Sequence, residues 1–133
     1  MNNIKYFLKS NKKVRKNEFF PATDSLCDEE GNVVDWELKP LTTDELEALR
    51  EESIDKNGVM NEKKFTRKLI CSSVVVPNLH SIDIQNSYGV KSAEELISKI
   101  LDCPGDYANL QKKILDMSKL EATFANKVSE AKN

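Results

Sequence analysis

The stretch "DEEGNVVDWELKPLTTDEL", residues 28–46, sets a turn, a strand and a helix start end to end. Asp28, Glu29, Glu30, Gly31 and Asn32 form a polar turn cluster between two segments rich in aromatic and β-branched residues, which is the pattern of a β-hairpin. In the second limb Val34, Trp36 and Leu38 alternate with Asp35, Glu37 and Lys39, as a strand with one buried face requires. Pro40 has no N–H to donate to a ladder and closes the strand. Thr42 and Glu45 then have capping-box spacing, and Leu41 and Leu46 stand where a hydrophobic staple joins them, so a helix begins here.

Working outward, that helix runs to about Ile54 and is broken by Asn57-Gly58. Asn61 caps a second helix whose stripe is Phe65, Leu69, Ser72 or Ser73, and Val76, widened by Ile70 and Val74; Pro77 ends it. Ser92 and Glu95 repeat the capping-box spacing ahead of Leu96, Ile97, Ile100 and Leu101. "CPGD" stops that helix and opens another, with Tyr107, Leu110, Ile114 and Met117 on one side. Ser118 and Glu121 set a last start before Leu120, Phe124, Val128 and Ala131. Upstream, "FFPATDSLC" is a less strand-like first limb because of Pro21. Ile4, Phe7 and Leu8 have helical spacing among lysines, a short amphipathic helix only marginally stable by itself.

The expected fold class is therefore α+β, mostly α: an N-terminal β-hairpin packed with about five short helices. Its 133 residues suit one domain, divided into a basic N-terminal arm (1–17), the hairpin (18–41) and a helical region (42–133). Apolar runs such as Val74-Val75-Val76 fall far short of the roughly 20 residues of a membrane span, so no membrane partner and a soluble, cytoplasmic protein are expected. The net charge of −2 conceals a segregation: residues 1–17 carry six bases and no acid, residues 18–62 fourteen acids and three bases. Such blocks make solvated faces or docking surfaces.

Catalytic and metal-binding readings find little support. Cys71, His80 and Asp83 are the residue types of a nucleophile, base and orienter, but Cys71 falls on the apolar second helix and His80 beyond its proline stop. Cys27, Cys71, His80 and Cys103 lie on four separate segments with no paired zinc-type spacing. The glycines form no phosphate-cradling pattern, and no cofactor is expected. The arm sets Tyr6 and Phe7 among Lys5, Lys9, Lys12, Lys13, Arg15 and Lys16, which supports an alternative role as a small nucleic-acid-binding accessory protein. The acidic balance of the whole chain weighs against nucleic acid as a partner.

The ordered series "DEEGNVVDWELKPLTTDEL", "FTRKLICSSVVVPNL", "IQNSYGVKSAEELISKIL", "PGDYANL" and "EAKN" resembles the XkdN-like family of phage tail assembly chaperones, over roughly residues 4–133. The matching positions are Trp36, Pro40 and Leu41, Pro77 and Leu79, Tyr88, Gly89 and Val90, and Gly105 with Tyr107; with Thr42, Glu45, Ser92 and Glu95 they form the architectural set. The resemblance implies a non-enzymatic chaperone that binds the tape-measure protein, keeps it soluble and helps recruit tail tube subunits. It implies action in the host cell cytoplasm, absence from the mature virion, and either self-association or a longer frameshifted form as further options. Phe65, Leu69, Leu96, Ile100, Tyr107 and Leu110 are the candidates for core and partner-binding groove.

Overall fold

A computed structural model describes residues 3–120. The valines of residues 74–76 decide the architecture. Three consecutive β-branched residues disfavour a helix, and Pro77 forces Val76 into an extended conformation. The second helix accordingly ends at Ser73, and the chain passes without a loop into a strand. The expected helical stripe through Val74 and Val76 is thus corrected, and the expected hairpin becomes a three-stranded antiparallel sheet.

In chain order the elements are β1 (Glu18–Phe20), β2 (Trp36–Leu38), α1 (Thr43–Glu52), α2 (Glu62–Ser73), β3 (Val74–Val76), α3 (Ile82–Ser87), α4 (Ala93–Ile100) and α5 (Pro104–Met117). β2 is the central strand. It pairs Trp36 with Phe20 and Leu38 with Glu18 on one side, and Glu37 with Val76 and Leu38 with Val74 on the other, leaving Val75 as a bulge. The first limb stops at Phe20, just before Pro21, and pairing resumes only at the Cys27–Val33 bridge. The result is an α+β protein, mostly α.

The junction of α2 and β3 is locked to the strand beside it by a reciprocal pair of hydrogen bonds. The Lys39 N–H donates to the Ser73 carbonyl at 2.8 Å, and the Ser73 hydroxyl donates to the Lys39 carbonyl at 2.7 Å. Ser73 is fully buried. Its side chain and backbone therefore satisfy polar groups that a helix-to-strand switch would otherwise leave unpaired inside the core.

α2 is the central helix, packing against α1, α4, α5 and β3. Phe65, Leu69, Ile70 and Ser73 form its buried face. They meet Leu96 and Ile97 of α4, Leu110 and Ile114 of α5, and Trp36 and Leu38 of β2 in one core cluster.

Start signals are realised as hydrogen bonds. Thr42 and Glu45 make the full capping box, at 3.1 and 3.0 Å, and Lys39 pairs with the Glu45 carboxylate. Ser92 accepts from the Glu95 N–H at 3.1 Å, but the Glu95 carboxylate accepts from the N–H of Lys91, one residue before the cap, at 3.3 Å. Two tight loops use one device: Asp28 accepts from Glu30 and Asn32, and Asp55 from Asn57 and Val59. Each loop turns through a glycine at positive φ, Gly31 at +83° and Gly58 at +79°.

Other expectations fare differently. α3 was not foreseen; Ser81 caps it by accepting from the Ile84 N–H. The N-terminal segment forms two 3-10 turns, Ile4–Phe7 and Lys9–Asn11, rather than a helix, and its apolar side chains stay exposed. The last expected helix, over Phe124, Val128 and Ala131, lies outside the described residues. α5 ends at Met117, followed by Lys119 at positive φ and a Leu120 N–H bond to the Leu115 carbonyl.

Ser73→Ala is expected to lower the unfolding free energy by about 1–3 kcal/mol, against under about 0.5 for Ser72→Ala, because only the former strands a carbonyl in the core. Urea denaturation of both variants checks this; equal losses would refute the lock.

Candidate partner-binding groove

One apolar groove, about 360 Å³, opens beside the sheet. Four elements build it. Leu26, Val34 and Asp35 come from the hairpin, Val76 and Pro77 from the end of β3, Ile84, Ser87 and Tyr88 from α3 and its cap, and Ile100 from the end of α4. Trp36 lies at its floor, 1% exposed. Val76 and Tyr88 at the rim are 47% and 37% exposed, so apolar surface that could be covered is left open.

The local reasons are visible residue by residue. A cis Val76-Pro77 bond turns the chain at the end of β3. Leu79 then plugs the core, and its carbonyl accepts from the Gln85 side chain at 2.9 Å, which ties α3 to the loop that leads into it. Tyr88 caps α3 before Gly89 reverses the chain. The architectural positions Trp36, Pro77 and Tyr88 thus also line the groove.

The six candidate partner-binding residues sit mostly beneath the surface. Phe65, Leu69, Leu96 and Leu110 are buried in the core cluster. Ile100 is buried yet lines the groove, and Tyr107 is half-buried against the core on α5. Of the other architectural positions, the carbonyl of Leu41 accepts from the Arg15 side chain at 2.6 Å, Pro40 precedes it at the sheet-to-helix junction, and Gly105 follows Pro104 in the first turn of α5. Sequence reasoning missed Val76, Ile84, Leu26 and Val34 as groove residues. The usable signals were the valine run before a proline and the Ser81 cap before Ile82 and Ile84.

A second, polar cavity of about 640 Å³ lies between α1, α2 and the start of α4 and is lined by both Cys71 and His80. Burial, reinforced by the Glu94 charge, pushes the Cys71 thiol up to about 11 against the opposing pull of Lys68 and Arg67. A nucleophilic cysteine needs the reverse shift toward thiolate. Among the described residues no hydrogen bond joins Cys71 to His80, whose backbone N–H is held by Asn78 at 3.1 Å. Lys68 bridges Glu94 at 3.1 Å and Glu52 at 3.4 Å across this cavity, and the Glu94 hydrogen bond raises its pKa. The lining is a structural ion network on α1, α2 and α4.

The family of phage XkdN-like tail assembly chaperone proteins matches residues 4–132. The chain belongs to that family. The XkdN protein of the phage-like element PBSX of Bacillus subtilis (strain 168) is 26% identical over 121 residues, which is 85% of this chain and 82% of that one. An uncharacterized protein of the same organism, YqbN, is 23% identical over 121 residues, covering 85% and 81%. The crystal structure of YqbN has the same fold, with a TM-score of 0.79 at 21% identity over 90% of this chain and 98% of that one. The protein is thus a phage tail assembly chaperone of the XkdN-like type, with no helix among its described residues long and apolar enough to cross a membrane.

At pH 8 an alkylating reagent is expected to modify the exposed Cys27 and Cys103 well before Cys71, which should accelerate only as pH nears 11 or on unfolding. Mass mapping of labelled peptides reads the order, and Cys71 reacting first would contradict the assigned environment.

Proposed function

We propose that this chaperone holds the tape-measure protein soluble during tail assembly by accepting an amphipathic client helix along the groove, and that it helps bring tail tube subunits to that client. The observation that carries the reading is the open apolar rim of Val76 and Tyr88 above Trp36. An amphipathic helix offers apolar anchors every three or four residues, the spacing at which such a groove can bury them. Within this reading Ile100 touches the client, while Phe65, Leu69, Leu96 and Leu110 hold the groove walls in place, and Tyr107, beside Arg67 of α2, stays outside the groove. The work is done in the host cell cytoplasm, and the chaperone leaves before the virion matures.

Leaving sets the energy scale. A chaperone displaced by tube subunits should bind each client segment at about micromolar affinity, roughly 8 kcal/mol, with many copies along a long client supplying retention. A groove of this size suits that requirement better than a large interface would.

Co-expression with the tape-measure protein tests the reading. Val76→Asp or Tyr88→Asp should cut the soluble, co-purifying client severalfold while circular dichroism of the chaperone stays unchanged. Phe65→Ala, by contrast, should lose fold and client together, at a cost of about 3–5 kcal/mol. Undiminished solubilisation by both rim variants would refute the groove assignment.

A further inference from the structure

Residues 3–14 leave large apolar side chains in water. Ile4 is 77% exposed, Phe7 79%, Leu8 50% and Val14 87%. The backbone makes only two 3-10 turns, and among the described residues every hydrogen bond of this segment stays inside it. The body holds the arm at its foot, where Arg15 donates to the Leu41 carbonyl and Asn17 to Glu37 at 2.8 Å. Lys5, Lys9, Lys12, Lys13 and Lys16 form no ion pair among the described residues; the Lys5 ammonium lies over the Tyr6 ring, 5.7 Å from its centre.

Wound as an α-helix, the same segment sorts into two faces. Ile4, Phe7, Leu8 and Val14 fall within an arc of about 120°, interrupted only by Asn11 once Arg15 is held by Leu41. The five lysines fall within a separate arc of about 100°. A solvated arm has no use for the apolar face. A nucleic acid engages the lysines but leaves Ile4, Leu8 and Val14 in water. A bilayer of anionic lipids uses both faces at once, because acyl chains cover the first while headgroup phosphates neutralise the second. In water so few residues do not offset helix nucleation, and burial of the apolar face in a lipid surface supplies what is missing.

We infer that the arm folds into an amphipathic helix on an anionic phospholipid bilayer, with Ile4, Phe7, Leu8 and Val14 sunk toward the acyl chains and the lysines among the headgroups. Residues 4–14 then make a helix about 15 Å long lying in the plane of the interface, a contact that requires no membrane-crossing helix. The expectation of no membrane partner rested on span length, which does not bear on a helix of this kind. Residues 18–62 carry fourteen acids against three bases, so this part of the body is repelled by the same lipids and the arm serves as a tether. Four apolar anchors without a lipid modification make the contact reversible, and the lysines make it salt-sensitive. The arm contributes no residue to the groove, so lipid and client occupy different surfaces and neither reading rests on the other.

Co-sedimentation of the full chain with vesicles of equal parts phosphatidylglycerol and phosphatidylcholine, against vesicles of phosphatidylcholine alone, tests this. At low salt the chain should partition onto the anionic vesicles at least about tenfold more strongly than onto the neutral ones, and amide hydrogen exchange of the arm should slow there. Phe7→Asp should weaken partitioning at least about tenfold, and Lys12→Gln with Lys13→Gln about twenty-five-fold, roughly fivefold per lysine; Phe7→Leu should bind as the wild type does. These side chains are exposed, so the urea midpoint should stay unchanged in all three variants. Tyr88→Asp at the groove rim should leave vesicle binding intact. Failure to pellet with anionic vesicles overturns the lipid contact, as does equal pelleting with neutral ones or a Phe7→Asp chain that binds normally. A chain that ignores vesicles yet binds a single-stranded DNA oligonucleotide through the same lysines overturns it in favour of nucleic acid.

Discussion

The reciprocal bonds between Ser73 and Lys39 hold the architecture together. They let α2 run directly into β3, so the most central helix and an outer strand of the sheet are one continuous, loop-free segment. Because α2 also carries the core face that α1, α4 and α5 share, sheet and helices cannot shift independently. The position of Val76 at the groove rim is thereby set from the middle of the core, three residues beyond the lock. Such rigidity suits a surface that must present a fixed shape to a variable partner.

Much of this was legible in the sequence, and the limits have physical causes. The strand of Trp36 and Leu38, the capping box at Thr42 and Glu45, and the starts of α2, α4 and α5 rest on local rules that tertiary structure did not override. The valine run was misread because its alternate positions continue the apolar stripe of α2, and periodicity alone does not separate a buried helix end from a buried strand. What tips the balance is pairing with β2, a contact between residues 37 and 76 that no local window contains. α3 escaped notice because six residues give too short a stripe to register. The groove was hidden for the same reason: its walls come from four separated elements, while the sequence stripes pointed to residues that the core consumes.

The charge segregation gains meaning from the fold. The acidic hairpin tip lies beyond the Phe20–Trp36 end of the β1–β2 pair while the basic arm enters at the Glu18–Leu38 end, and among the described residues no ion pair joins the two. Ion pairs do occur elsewhere, as between Lys113 and Glu18 or Lys39 and Glu45, so among the described residues the arm stands out as cationic surface without an ion pair. The membership of the chain in the XkdN-like chaperones supplies the setting in which transient, exchangeable contacts are useful.

The single tryptophan of the chain lies at the groove floor, packed among aliphatic neighbours and shielded from water. Nature has in effect built an optical probe into the one place where occupancy matters. Ultraviolet emission from that indole reports the polarity directly above it, so lodging of any visitor changes the spectrum without an added dye, and events at the polar cavity leave it quiet.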